Sequence, residues 1–190
     1  TAKHGQSPID PNLYKAFPGK NNNGTSPVTL LAAAGYIPDS EAGGVGPTED
    51  DVSLIWLKDP TDTLPAVQIL EQNAAEIGLG QIYYGNSVSL NFNRPGLPPH
   101  DDPRTPDIIV TPNVGVTYTG SNKKLEEHGG FSHDDTNVML IVSNPGTRPD
   151  VVNTPVTTSQ IAPTILDALG LDPKKLDGVR LEGTAALPEK

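Results

Sequence analysis

The sequence has no cysteine, so it can form neither a disulfide framework nor a cysteine-based zinc site. It has no basic stripe: 13 Lys and Arg stand against 23 Asp and Glu, for a net charge of −10. That balance disfavours nucleic acid and anionic membranes as partners. No apolar run approaches the roughly 18 residues of a membrane span. No leader-like segment opens the chain, and no initiator methionine does either, so the compartment stays open. Also lacking are a glycine-rich phosphate loop, a G-x-S-x-G nucleophile elbow and two histidines at the i, i+4 spacing of a helical zinc motif. No segment repeats another.

Glycine and proline are abundant, at 19 and 20 of 190 residues, while hydrophobic residues make up only 35%. The balance predicts many turns and long ordered loops between modest elements. The length suits one sizeable core, or a domain with a subdomain.

Residues 1–4 read as the tail of a strand. Asp10-Pro11 has the form of a cap with proline at the first helical position, predicting a short helix over 12–17. A loop over 19–27 precedes a small helix over 28–35 that ends at Gly35. The acidic stretch 39–51 reads as a connection and "VSLIWL" (52–57) as a strand. Thr63 is placed to cap a helix in which Val67, Leu70, Ala74 and Ile77 recur at helical spacing, with Gly78 as its stop. Strands at 81–85 and 87–92 complete a small α+β subdomain over 50–93. After a proline-rich loop (93–107) come two strong strand patterns, "DIIVTP" (107–112) and "NVMLIVSNP" (137–145). The second is apolar on one face and nearly so on the other, which suits a sheet covered on both sides. A last helix over 158–169 carries a capping-box spacing at Thr157 and Gln160, and Pro163 confines its start to 158–160. Strands alternating with helices place the chain in the α/β class.

Four histidines are candidates for chemistry: His4, His100, His128 and His133. His4 and His128 are each followed by glycine, where a predicted strand meets a loop. Glycine lets the backbone turn sharply beside a ligand, strand ends are where open α/β sheets bind ligands, and imidazole is a common metal ligand. Beside this stands the plainer reading, in which a His-Gly pair is a turn with a hydrogen-bonded imidazole. His133 with Asp134 and Asp135 reads as a solvated turn more readily than a cation cluster. His100 sits among acids that Arg104 can neutralise. Two histidines fall short of the three or four ligands that zinc takes.

Taken in order, "TAKHGQSPID", "TPDIIVTPNVGVTYTG", "EEHGGFSHDDTNVMLIVSNP" and "TTSQIAPTILDALGLDP" resemble the C-terminal half of the alkaline phosphatase superfamily, nearest its type I phosphodiesterase/nucleotide pyrophosphatase branch. The resemblance touches nearly the whole chain, with 5–50 matching loosely; "HGG" and "IAPTILDALG" are its most specific pieces. It implies the C-terminal part of an alkaline-phosphatase-like α/β/α sandwich. Residues 1–49 would then be a loop-rich segment after a central-sheet strand, 50–93 the subdomain, and 94–190 the core strands and packing helix.

The resemblance also implies a reaction. Such enzymes hydrolyse phosphate esters or sulfates at two metal ions that flank a Ser or Thr nucleophile. His4 matches the second member of the family's Asp-His pair and His128 its later metal-binding histidine, implying a divalent metal, with zinc the first choice. Lys3 stands where the family has Asp, and an ammonium cannot ligate a metal. Either that ion is absent, or Lys3 faces solvent, or its charge takes over part of the ion's task against a phosphate oxygen. The family's nucleophile lies upstream of the pair, so the chain is expected to be a fragment that associates with the N-terminal half of the enzyme or with itself. The substrate implied is a small phosphate ester. The alternatives are a stable non-catalytic module of the same fold, or a sulfatase-like hydrolase. A secreted or periplasmic location is implied by the resemblance alone.

Overall fold

The computed structural model describes residues 1–15, 24–37, 46–89, 102–119, 123–146 and 148–188. The chain divides into two compact units, His4–Asn137 and a second made of Thr1–Lys3 with Val138–Lys190. Helices mix with antiparallel sheets, so the architecture is α+β in its local detail.

The first unit is built on a four-stranded sheet in the order β2-β3-β5-β4. The strands are β2 (Thr48–Glu49), β3 (Ser53–Ile55), β4 (Leu79–Tyr84) and β5 (Ile108–Pro112). Every neighbouring pair is antiparallel. The strand pattern at 107–112 thus finds partners on both sides, and both partners come from the region read as a separate subdomain. Ile108, Ile109 and Val110 are all at most 1% exposed, which is why β5 reads as a continuous apolar run. Ile108 and Val110 join a cluster with Leu31, Ile55, Leu57, Ala66, Val67, Leu70 and Ile77.

The helices of this cluster follow their capping signals closely. The helix α1 (Pro27–Ala33) starts with Ser26, whose side chain accepts from the Thr29 N–H, and has Pro27 at its first position. Asp59 rather than Thr63 opens the next helical run: its carboxylate accepts from Thr61 N–H, and a 3₁₀ turn over Pro60–Asp62 leads into α2 (Thr63–Gln72). Asn73 interrupts the run before α3 (Ala74–Ile77), and Gly78 ends it in the left-handed region with φ 61°.

Two expectations fail in this unit. Asp10 accepts from the Asn12 N–H at 2.8 Å and its carbonyl from Leu13 at 2.9 Å, which closes a turn, and no helix begins by Lys15; residues 16 and 17 lie outside the described residues. The segment read as a strand from 87 instead forms a helical turn, α4 (Asn86–Ser89), because Ser87 Oγ bonds both the N–H and the carbonyl of Tyr84 and turns the chain back. Residues 90–92 lie outside the described residues.

Two short elements escaped the sequence: β1 (Ser7–Pro8) and β6 (Glu126–Glu127) pair antiparallel, with Ser7 opposite Glu127 and Pro8 opposite Glu126. The pair is extended by the Ile9 N–H donating to Leu125 C=O at 3.0 Å. A short helix α5 (His133–Thr136), capped by Ser132, follows.

In the second unit the strand expected over 137–145 does not form. The backbone of 137–144 has no regular structure, and Met139, Ile141 and Val142 are 73%, 65% and 59% exposed. The apolar pattern is present but no described strand lies beside it to complete a ladder, and a strand is defined by its partner. The last helix does follow its signals. Thr157 N–H donates to Gln160 Oε1 at 2.8 Å, a 3₁₀ turn covers Thr158–Gln160, and α6 (Ile161–Ala168) has Pro163 in its first turn. A further short helix, α7 (Asp177–Glu182), was not foreseen.

Candidate functional site

The structure brings His4 and His128 together. Their rings stack with centroids 4.0 Å apart and planes 18° from parallel, although 124 positions separate them in sequence. The pairing of β1 with β6 accounts for this approach, since His4 lies three residues before β1 and His128 directly follows β6. His4 is half-buried and His128 exposed. His4 Nδ1 lies 2.8 Å from Gly5 C=O. A carbonyl only accepts, so Nδ1 donates to it and Nε2 is the ring nitrogen left outside this bond.

The glycines beside the histidines have steric work. Gly5 donates its N–H to Asp135 C=O at 2.6 Å, and a β-carbon there would collide with the backbone carbonyl of Asp134. Gly129 adopts φ 99°, and a β-carbon on Gly130 would fall within bonding reach of Asp51 Oδ2 and lie 2.6 Å from Asp135 Oδ2. The "HG" and "HGG" signals are therefore turn and close-approach requirements, whatever the imidazoles do. Phe131 completes the loop by meeting Tyr83 edge-on at 5.9 Å.

Around this pair lies an acidic cluster that sequence inspection missed. Asp51, Glu127 and Asp135 are buried, at 7%, 2% and 3% exposure. Asp135 Oδ2 accepts from Ser7 Oγ at 2.7 Å and from Ser132 Oγ at 2.8 Å. Burial opposes its ionisation, but those hydroxyls, Asp51 and the Gly130 N–H outweigh it and hold Asp135 below the usual carboxylate range. Asp51 goes the other way. Burial, then the hydrogen bond to and the charge of Asp135, then the charge of Glu127, push it up to about 7. Lys124 lies between Asp50, at 3.0 Å, and Glu127. Burial and Asp50 raise Glu127 despite this lysine, whereas Asp50 is lowered: its burial is outweighed by hydrogen bonds from Glu127 and Lys124. The His128 N–H donates to Glu127 Oε1 at 3.1 Å, which ties the cluster to the ring pair. The available signal was the glutamate beside a His-Gly turn, but Asp50 and Asp51 lie more than 70 residues from it.

Lys3 is exposed and groups with the second unit. His133 is exposed, as a solvated turn requires, and bonds Asn137 through its Nε2. Asp135, its neighbour but one, faces inward instead. His100 lies outside the described residues, while Arg104 does neutralise Asp102 at 2.7 Å.

Imidazole is a common zinc ligand, but among the described residues no group of three or more His, Asp or Glu is arranged to hold an ion. No helix among them is long and apolar enough to cross a membrane. Compared with family profiles, with curated proteins and with solved structures, the chain gives no significant match.

Proposed function

We propose that this chain carries the histidine side of a metal-dependent phosphoric ester hydrolase site, on an alkaline-phosphatase-like α/β/α framework. The observation that carries the reading is the stack of His4 on His128, two residues picked out separately by their His-Gly context. Nearly parallel rings 4.0 Å apart lie in separate planes and so do not aim their in-plane nitrogens at one point. Such a pair suits two neighbouring ions better than one shared ion, and two-metal sites space their ions by about 3.5–4 Å. Zinc is the ion favoured by imidazole ligands.

The reading needs more than the cluster contains. Two histidines are an incomplete ligand set, and no serine or threonine beside them is identified as a nucleophile. The resemblance puts both upstream of His4. It also expects the exposed apolar run 138–142 to gain a partner, either the N-terminal half of the enzyme or a copy of this chain. A monomer at high concentration in sedimentation would count against self-association.

The test is zinc titration monitored by melting temperature, for the 190-residue chain and for His4→Ala with His128→Ala. Binding to the folded state raises the melting point by mass action. The expected result is a zinc-dependent rise that a chelator reverses and the double variant lacks. An aryl phosphodiester assay accompanies it, and turnover by this chain alone would sink the claim that the nucleophile lies elsewhere.

A second reading, a non-catalytic module of the same fold, is favoured by Lys3 at the position of the family's aspartate and by the incomplete ligand set. Identical melting with zinc and with chelator would select it.

A further inference from the structure

The carboxyl groups of Asp51 and Asp135 meet in a buried position. They approach each other over Gly130, whose missing side chain makes room for both and whose N–H faces both. Asp135 joins two segments of the first unit. Its carbonyl accepts from Gly5, next to His4; its Oδ2 accepts from Ser7 in β1; and its own N–H donates to Ser132 Oγ at 3.2 Å, in the loop that follows His128. Its other oxygen, Oδ1, is buried without a hydrogen-bond donor. Asp51 adds a third segment, the turn between β2 and β3, which is anchored because Asp50 C=O accepts from Tyr118 N–H at 2.8 Å.

Two buried carboxylates in contact cannot both be ionised without strong repulsion. A proton on Asp51 removes that repulsion and supplies a donor to Asp135. We infer that Asp51 and Asp135 form a proton-held latch: with one proton between them they bind the segments around His4 and His128 together, and without it the two imidazoles separate. The charged groups facing the latch act in the same direction. Glu127, from β6, adds negative charge, and Lys124, the nearby cation, is occupied by Asp50 and Glu127. As regulation of the site proposed above, the latch rests on that reading; as a statement about the ring pair it does not.

The test needs neither metal nor ester. The full chain in chelator is followed by NMR, reading the contact between the His4 and His128 rings and the exchange protection of the Gly5 amide. In the wild type, protection corrected for intrinsic exchange should fall at least about tenfold from pH 6 to pH 8, with loss of the ring contact. In Asp51→Asn, whose amide donates as a protonated carboxyl does, both should hold within about twofold over that range. The histidines are unchanged in that variant, so their own titration is common to both proteins. Equal pH profiles for wild type and Asp51→Asn, or no wild-type change between pH 6 and pH 8, would overturn the latch. If Asp51→Asn does not fold, Asp135→Asn carries the same test, since it keeps an oxygen for Ser7 and Ser132 and removes the same repulsion. Zinc-induced stabilisation, measured separately on Asp51→Asn at pH 6, tests the hydrolase reading independently.

Discussion

The segments 108–112 and 138–142 look alike in sequence and behave differently in the fold. Both carry a run of Ile, Val, Leu or Met, at 108–110 and at 138–142, ahead of a Pro or Asn turn. The first is one of the two inner strands of a four-stranded sheet, with no more than 1% of Ile108, Ile109 or Val110 exposed. The second is unpaired, with Met139 at 73%. The difference teaches that an apolar run sets the propensity for a strand, while the ladder depends on which chain lies beside it.

Side-chain truncation should expose that contrast most strongly. Leu70→Ala, at a fully buried position of the first unit, should cost about 2–5 kcal/mol in urea unfolding. Ile141→Ser in the exposed run should change stability by no more than about 0.5 kcal/mol. A large loss at Ile141 would mean that a partner covers that face in solution.

Gly130→Ala comes next. Its β-carbon has no room between Asp51 and Asp135, so a loss of about 1–3 kcal/mol is expected, together with loss of the His4–His128 contact in NMR. At Gly35, where φ is 84° but nothing lies within 4 Å, alanine should cost only about 1 kcal/mol.

Stability should also depend on pH through Asp51. Its folded value of about 7 is above its ordinary 3.8, so between those values the folded chain holds a proton that the unfolded chain has lost. Its contribution is therefore complete below the ordinary value and is lost as pH rises to about 7. Asp135, lowered, adds stability that is lost only on acidification below the ordinary carboxylate range. Urea midpoints at a series of pH values should fall from pH 4 to 7 by more in the wild type than in Asp51→Asn.

A more modest effect is expected at the caps. Thr157→Ala should weaken the start of the last helix by about 1 kcal/mol, read by helical circular dichroism on heating, and Ser26→Ala should do the same for α1.

Local grammar was the legible part. The stops at Gly35, Gly78 and Gly170 and the box at Thr157 and Gln160 follow from conformational limits and bonds spanning a few residues; the strand at 108–112 was legible as an apolar pattern, although its ladders run to β3 and β4. The failures have different causes. Ser87 was counted toward a strand because its bonds back to Tyr84 leave no trace in a period-two pattern. Residues 137–145 were given a sheet because apolar faces announce burial without naming a neighbour.

By itself, then, the sequence determined where the chain turns, which stretches are apolar and that His4 and His128 are alike in setting, because these depend on conformational limits and hydrogen bonds within a few residues. Only the tertiary structure decided that those rings stack, that Asp51 meets Asp135 and that one apolar run is enclosed while the other is open. Those outcomes depend on contacts between segments scores of residues apart, whose energies are set by burial and by the company each charge keeps.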